Sequence, residues 1–188
     1  TAGHKGFYPA VLPDGRQLAL PLRVLPGDAQ TAVASLILNQ ASFAVEDGLA
    51  AALAKLLRPY QPDVIVGIPT LGLSLASNLA RQLGHARMVP LGTSRKFWYR
   101  DELSEPMRSI TSPGASKTLY IDPRILPLLD GRRIVLVDDV ISTGQSMQAA
   151  LHLLERAGIA PVAIGCAMLQ GIHWQSALEL YSDKIVAP

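Results

Sequence analysis

The chain holds one cysteine, Cys166, in 188 residues. No internal disulfide is open to it, which excludes a disulfide scaffold and points to a reducing compartment. Charge is sparse: 17% of residues are Asp, Glu, Lys or Arg, against 49% apolar, a balance that excludes intrinsic disorder. The longest apolar runs fall far short of the ~20 residues a membrane helix needs. The first residues lack the charged-then-apolar order of a signal peptide. Neither Gly-x-Gly-x-x-Gly nor Gly-x4-Gly-Lys-Ser/Thr occurs, so the common nucleotide-binding loops are absent. A net charge of +2 is no signal for nucleic acid.

What remains is one domain over residues 1–188, large enough to bury roughly 70% of its unfolded surface without a metal or disulfide. The basic residues are uneven. Nine of 17 (Arg87, Arg95, Lys96, Arg100, Arg108, Lys117, Arg124, Arg132 and Arg133) fall between 87 and 133. A solvated face and a positive field beside an anionic substrate both fit that clustering.

Residues 1–27, with four prolines, read as short extended pieces and turns. Residues 29–57, rich in Ala and Leu and free of proline, predict one long helix or two, broken near Asn39–Ser42. Val64–Ile68 is a β-branched run without polar alternation, the pattern of a strand buried on both faces. The turn Pro69-Thr70-Leu71-Gly72 then opens a helix over Leu73–Leu83, closed by Gly84. Met88–Leu91 is a candidate short strand. Residues 92–127 show no sustained periodicity and read as a functional or mobile stretch rather than core. Ile134–Val137 predicts a second buried strand, Gln145–Ala157 a helix, and Val162–Leu169 a third strand. Alternation of this kind gives an α/β fold, a parallel sheet flanked by helices.

The informative segment is Ile134-Val135-Leu136-Val137-Asp138-Asp139-Val140-Ile141-Ser142-Thr143-Gly144-Gln145-Ser146. Two carboxylates stand at the C-terminal edge of a parallel strand, where open α/β sheets bind ligands. A turn of hydroxyl residues and glycine opens straight into a helix, whose unpaired N–H groups and positive dipole end suit an anion. A phosphate cradle beside two acceptors for vicinal hydroxyls fits a sugar phosphate. A bare Asp-Asp pair is equally a helix cap with a solvated neighbour, or the acidic cluster of a response regulator. The hydroxyl-glycine loop lowers the odds of the cap reading, and an aspartyl-nucleophile phosphatase would need Asp-x-Asp.

All thirteen residues resemble the phosphoribosyl-pyrophosphate (PRPP) motif of type I phosphoribosyltransferases. The resemblance implies that Asp138 and Asp139 bind the ribose hydroxyls and that Ile141, Ser142, Thr143, Gly144, Gln145 and Ser146 hold the 5′-phosphate. It implies Mg²⁺ as cofactor, with the two acids as indirect metal partners. Relatives also carry a diphosphate loop after an earlier strand, often with a non-proline cis peptide. Pro69, Thr70, Leu71 and Gly72 stand in that place, though without the charged residues some relatives put there. Residues 92–127 would then be a mobile loop, with Lys96 or Arg95 neutralising pyrophosphate, in cis or across a dimer interface. The run Phe97-Trp98-Tyr99 reads as loop anchor or as substrate contact.

The order of parts resembles bacterial xanthine and adenine phosphoribosyltransferases. That implies a small hood from residues 1–45 and 170–188, and Asn39 reading a purine edge with an amide that both donates and accepts. Asn39 reads alternatively as a helix cap or break. Where relatives place a charged residue after the last core strand, this chain has Ala167–Gly171, followed by His173 and Trp174. His173 and Cys166 read as structural, and Trp174 as packed core or as a ring stacking on a purine. The implied activity is transfer of the 5-phosphoribosyl group to a nucleobase, by a cytoplasmic homodimer with no nucleic acid or membrane partner. The alternative is a PRPP-sensing regulator on the same fold, whose mark is an appended DNA-binding domain; no room for one is expected before residue 28.

Overall fold

The computed structural model describes residues 6–12, 14–25, 27–107 and 117–188. Five parallel strands form the central sheet in the order β10-β9-β8-β4-β5. They are β4 (Val64–Gly67), β5 (Val89–Pro90), β8 (Ile134–Ile141), β9 (Ala163–Leu169) and β10 (Ile185–Val186). On one face lie α1 (Phe43–Leu57) and α2 (Gly72–Gln82), packing Leu49, Leu53, Leu57, Leu75 and Leu79 over Ile65, Val135 and Val137. On the other lies α3 (Gln145–Arg156), which sets Met147, Leu151 and Leu154 against Ile134, Leu136 and Ile164. Two-sided burial is why β4 and β8 read as unbroken apolar runs.

The N-terminal segment is an antiparallel sheet of β1 (Phe7–Val11), β2 (Gln17–Leu25) and β3 (Asp28–Ala34). Here the expectation of helix over 29–57 fails in its first part. Residues through Ala34 pair with β2, Leu22 facing Ala34 and Val24 facing Ala32. Alanine favours helix by well under 1 kcal/mol per residue, which cross-strand pairing outweighs. The break near Asn39–Ser42 does occur: a 3-10 turn spans Leu38–Gln40, and the Ser42 hydroxyl caps α1 by accepting from the Val45 N–H.

The stretch 92–127 is more ordered than its irregular sequence suggests. A hairpin of β6 (Ser104–Met107) and β7 (Lys117–Tyr120) packs on α3, and Leu103, Met107, Leu119 and Ile121 are buried in the core. Four-residue strands, one containing Pro106, are too short for period-2 alternation to show. Glu105 of the hairpin forms an ion pair with Arg156 of α3 at 2.9 Å. Residues 108–116, including Arg108, lie outside the described residues.

Some of the clustered basic residues are structural. Arg133 donates its backbone N–H to Asp63 and its guanidinium to the carbonyl and side chain of Gln61, closing the edge where β4 and β8 begin. The tail after β9 forms a short helix, α4 (Trp174–Ala177), and then β10, a strand with no forewarning in the sequence. Among the described residues no helix is long and apolar enough to cross a membrane.

Candidate active site

Strand β8 runs four residues further than its apolar core suggests, carrying both acids inside the sheet. Asp138 stands opposite Cys166 of β9, and the ladder continues through Val140–Met168 and Ile141–Leu169. Asp138 and Asp139 are only 8% and 5% exposed. The Asp139 N–H donates to Asp138 Oδ1 at 2.9 Å. Asp139 Oδ2 is buried and, among the described residues, has no hydrogen-bond partner. A buried acceptor left open is costly unless a ligand donor completes it.

Burial pushes the Asp138 carboxyl well above the ordinary carboxylate range, and the neighbouring charge of Asp139 adds to the rise. Burial also raises Asp139. The same environment acts on Cys166: burial first, then the charge of Asp138, push its thiol up to about 12. Cys166 is therefore expected to resist thiol reagents in the folded protein. At pH 8, labelling should run at least ~10²-fold slower than in denaturant, because it waits for the core to open. Stoichiometric labelling at the denatured rate would contradict this placement.

The loop before α2 closes on the acid pair. A Cβ on Gly72 would stand 2.7 Å from Asp138 Oδ1 and 2.8 Å from Asp138 Cα, closer than any side chain tolerates. The first turn of α2 thus sits directly on Asp138. The Pro69–Thr70 peptide bond is cis. Leu71, the N-cap, supplies no side-chain hydrogen bond, so the helix opens with uncapped N–H groups.

The second helix opening follows β8 directly. Gly144 is the N-cap of α3 at φ +80°, with no side-chain cap. Glycine is needed twice over: for that left-handed backbone, and because a Cβ would stand 3.1 Å from both Ala177 Cβ and Leu178 Cγ. The tail therefore backs the loop, a role that nothing in residues 170–188 announces. Among the described residues the hydroxyls of Ser142, Thr143 and Ser146 hold no hydrogen bond, and Gln145 is exposed. The Ile141 side chain is in the core, and its carbonyl already accepts from the Gln170 N–H at 2.9 Å.

The structure thus brings together Asp138, Asp139, Gly72 with its loop, and residues 141–146. Among the described residues no hydrogen bond or ion pair joins Asn39, Arg95 or Lys96 to the acid pair. Asn39 is exposed in the 3-10 turn, which packs on α2. Arg95 pairs with Asp101 within its own loop, and Lys96 is exposed. In the neighbouring aromatic run, Trp98 donates to Asp122 at 3.1 Å and Tyr99 meets Tyr120 at 5.6 Å between centroids, both anchoring contacts. Phe97 is 96% exposed.

Comparison with known proteins identifies the family and the fold. The family model for the phosphoribosyl transferase domain matches residues 37–183. An adenine phosphoribosyltransferase of Frankia alni is 31% identical over 163 residues, 87% of this chain and 80% of its own length. The bifunctional protein PyrR of Streptomyces coelicolor is 37% identical over 112 residues, 56% of this chain and 51% of its own length. The matched region thus spans about half of the PyrR relatives. Among solved structures, adenine phosphoribosyltransferase from Thermoanaerobacter pseudethanolicus superposes with a TM-score of 0.69 at 22% identity, over 89% of this chain and 93% of that one. The Giardia lamblia enzyme complexed with 9-deazaadenine gives 0.69 at 19% identity, over 88% and 91%. The chain belongs to the phosphoribosyl transferase domain family.

Proposed function

We propose that the protein transfers the 5-phosphoribosyl group of PRPP to a nitrogenous base, a purine by its kinship with adenine phosphoribosyltransferases, giving a nucleoside 5′-monophosphate and pyrophosphate. The observation that carries this reading is the buried, unpartnered Asp139 Oδ2 on the strand that leads into the uncapped opening of α3, next to Asp138, on which the uncapped opening of α2 sits. The acids accept from the ribose hydroxyls, residues 141–146 take the 5′-phosphate, and the loop Pro69–Gly72 takes the diphosphate. The base nitrogen bonds to ribose C1 as the C1–O bond to pyrophosphate breaks. Positive charge develops on the ribose ring, which two carboxylates stabilise, and no covalent nucleophile is needed.

Among the described residues no group of three or more His, Cys, Asp or Glu is placed to hold a metal. The pair of acids does fit Mg²⁺ in its usual mode, held by one or two carboxylates with substrate oxygens and water. When bound, Mg²⁺ supplies positive charge to the leaving diphosphate. Arg95 and Lys96 act on the same charge if the stretch that carries them, ahead of the β6–β7 hairpin, closes over the site, in cis or across a homodimer. The sheet β1–β3 and the tail serve as hood, and the cytoplasm is the compartment that fits a PRPP-dependent reaction.

The test is incubation with PRPP, Mg²⁺ and a panel of bases, following pyrophosphate release. Base-dependent release is expected. Tight PRPP binding without release for any base would favour the PRPP-sensing reading instead.

A further inference from the structure

Glu105 of β6 is a charged residue in apolar company. Leu103 and Met107 flank it two residues away on either side, and both belong to the core. Strand alternation puts Met107 on the same side as Glu105, and Leu119, the residue opposite Glu105 on β7, is core as well. A carboxylate in such a row is costly unless a partner meets it. Two side chains one turn apart on α3 do so. Arg156 Nε stands 2.9 Å from Glu105 Oε2 in an ion pair without hydrogen-bond alignment, and Oε2 is closed off from water. His152 Nδ1 stands 3.7 Å from Oε1. The Glu105 side chain is 15% exposed, against 50% and 55% for His152 and Arg156.

This contact ties together two parts of the site. Helix α3 opens at Gly144 with the loop assigned to the 5′-phosphate, and its later turns carry His152 and Arg156. The hairpin, for its part, holds the stretch that bears Arg95 and Lys96. Gly92 and Tyr120 exchange backbone hydrogen bonds, both at 2.9 Å, and the Ile121 N–H donates to the Leu103 carbonyl at 3.0 Å. Trp98 and Tyr99 lean on Asp122 and Tyr120. Arg95 pairs with Asp101, whose carbonyl accepts from the Ser104 hydroxyl at 2.6 Å. Residues 92–103 are thus fastened to the hairpin at both ends and in the middle. Among the described residues the ion pairs between hairpin and α3 are those of Glu105.

We propose that Glu105 is a positioning residue for phosphoribosyl transfer. Through Arg156 and His152 it holds the stretch bearing Arg95 and Lys96 in a set place relative to the phosphate loop, so that a cation of that stretch meets the diphosphate of PRPP. This rests on the phosphoribosyl-transfer reading and extends it to a residue that touches no substrate.

The experiment compares wild type with Glu105→Gln, Arg156→Gln and the double variant, all as the full chain. Titration calorimetry with Mg²⁺ measures binding of PRPP and of ribose 5-phosphate, which lacks the diphosphate. Glu105→Gln should weaken PRPP at least ~5-fold and leave ribose 5-phosphate within about twofold of wild type. Arg156→Gln should do more harm, because it leaves a largely buried carboxylate with His152 alone. Adding Glu105→Gln to it should restore PRPP affinity to the level of Glu105→Gln by itself. Hydrogen exchange without ligand should quicken at least ~5-fold at the Gly92, Tyr120 and Ile121 amides of Glu105→Gln, with the β8 amides unchanged. Wild-type PRPP affinity in Glu105→Gln would overturn the proposal. So would an equal loss for both ligands, the mark of a merely structural role. Faster exchange in the variant, with a wild type that binds no PRPP, would sink the phosphoribosyl-transfer reading and leave the tie between hairpin and α3 standing.

Discussion

Replacing both acids of β8, Asp138→Asn together with Asp139→Asn, should lower kcat/KM by at least ~10²-fold, the scale on which positioned electrostatics are lost. The same change should raise the melting temperature at neutral pH. Two carboxylates share a buried strand end, and no positive side chain pairs with them among the described residues. A native pKa lifted above the ordinary carboxylate value of 3.8 means that the folded state binds protons the unfolded chain has released. Stability therefore falls as pH rises from that ordinary value through the native one, and the penalty is complete above it. Asn carries no such penalty. The gap in melting temperature between variant and wild type should open as pH rises from about 4, reaching on the order of 1 kcal/mol, a typical gain from relieving a strained functional site. Turnover by pyrophosphate release and thermal unfolding across pH measure the two halves together. Near-normal turnover in the double variant would refute the assignment of the acids.

The second large effect is expected from a single methyl group. Gly72→Ala places a Cβ 2.8 Å from Asp138 Cα and 3.2 Å from the Val137 carbonyl oxygen. Both are backbone atoms of the central strand and cannot swing aside, so the opening of α2 must retreat. Overpacking of this kind costs about 1–3 kcal/mol, more than the up to ~1 kcal/mol of helix propensity that alanine returns. Displacing the loop by a fraction of an ångström or more separates the two halves of the site, and kcat/KM should fall ~10²-fold. Gly48→Ala is the control. It lies within α1, where a Cβ meets only the flexible end of Arg16 at 3.2 Å, so it should be neutral or stabilising. Equal kinetics for the two variants would show that the contact between α2 and β8 does not position the site.

The parts of the site that lie together in the chain were legible in the sequence. Residues 134–146 combine a strand buried on both faces, two acids and a glycine-gated helix opening without interruption, so each constraint leaves its own mark on residue type. The apposition of Gly72 and Asp138 was not legible, because a glycine opening a helix has many explanations and its partner lies on another strand. Leu178 behind Gly144 was hidden for the same reason. In the fold, β4, β8 and α3 announced themselves through burial. Strand β3 did not, because its alanines suit either a helix or a lightly packed sheet. The hairpin β6–β7 is held by long-range contacts of Leu119 and Ile121 with the core, which no local period reveals.

The two residues of β10 carry a duty out of proportion to their number. They lie along β9, whose sequence Ala163-Ile164-Gly165-Cys166-Ala167-Met168-Leu169 has no charge and no proline. Stripped of that cover, its unpaired amides and carbonyls would form a bare apolar margin of the kind that recruits strands from other molecules. Ile185 and Val186 thus shield the start of that edge, at Ile164 and Gly165, from self-association.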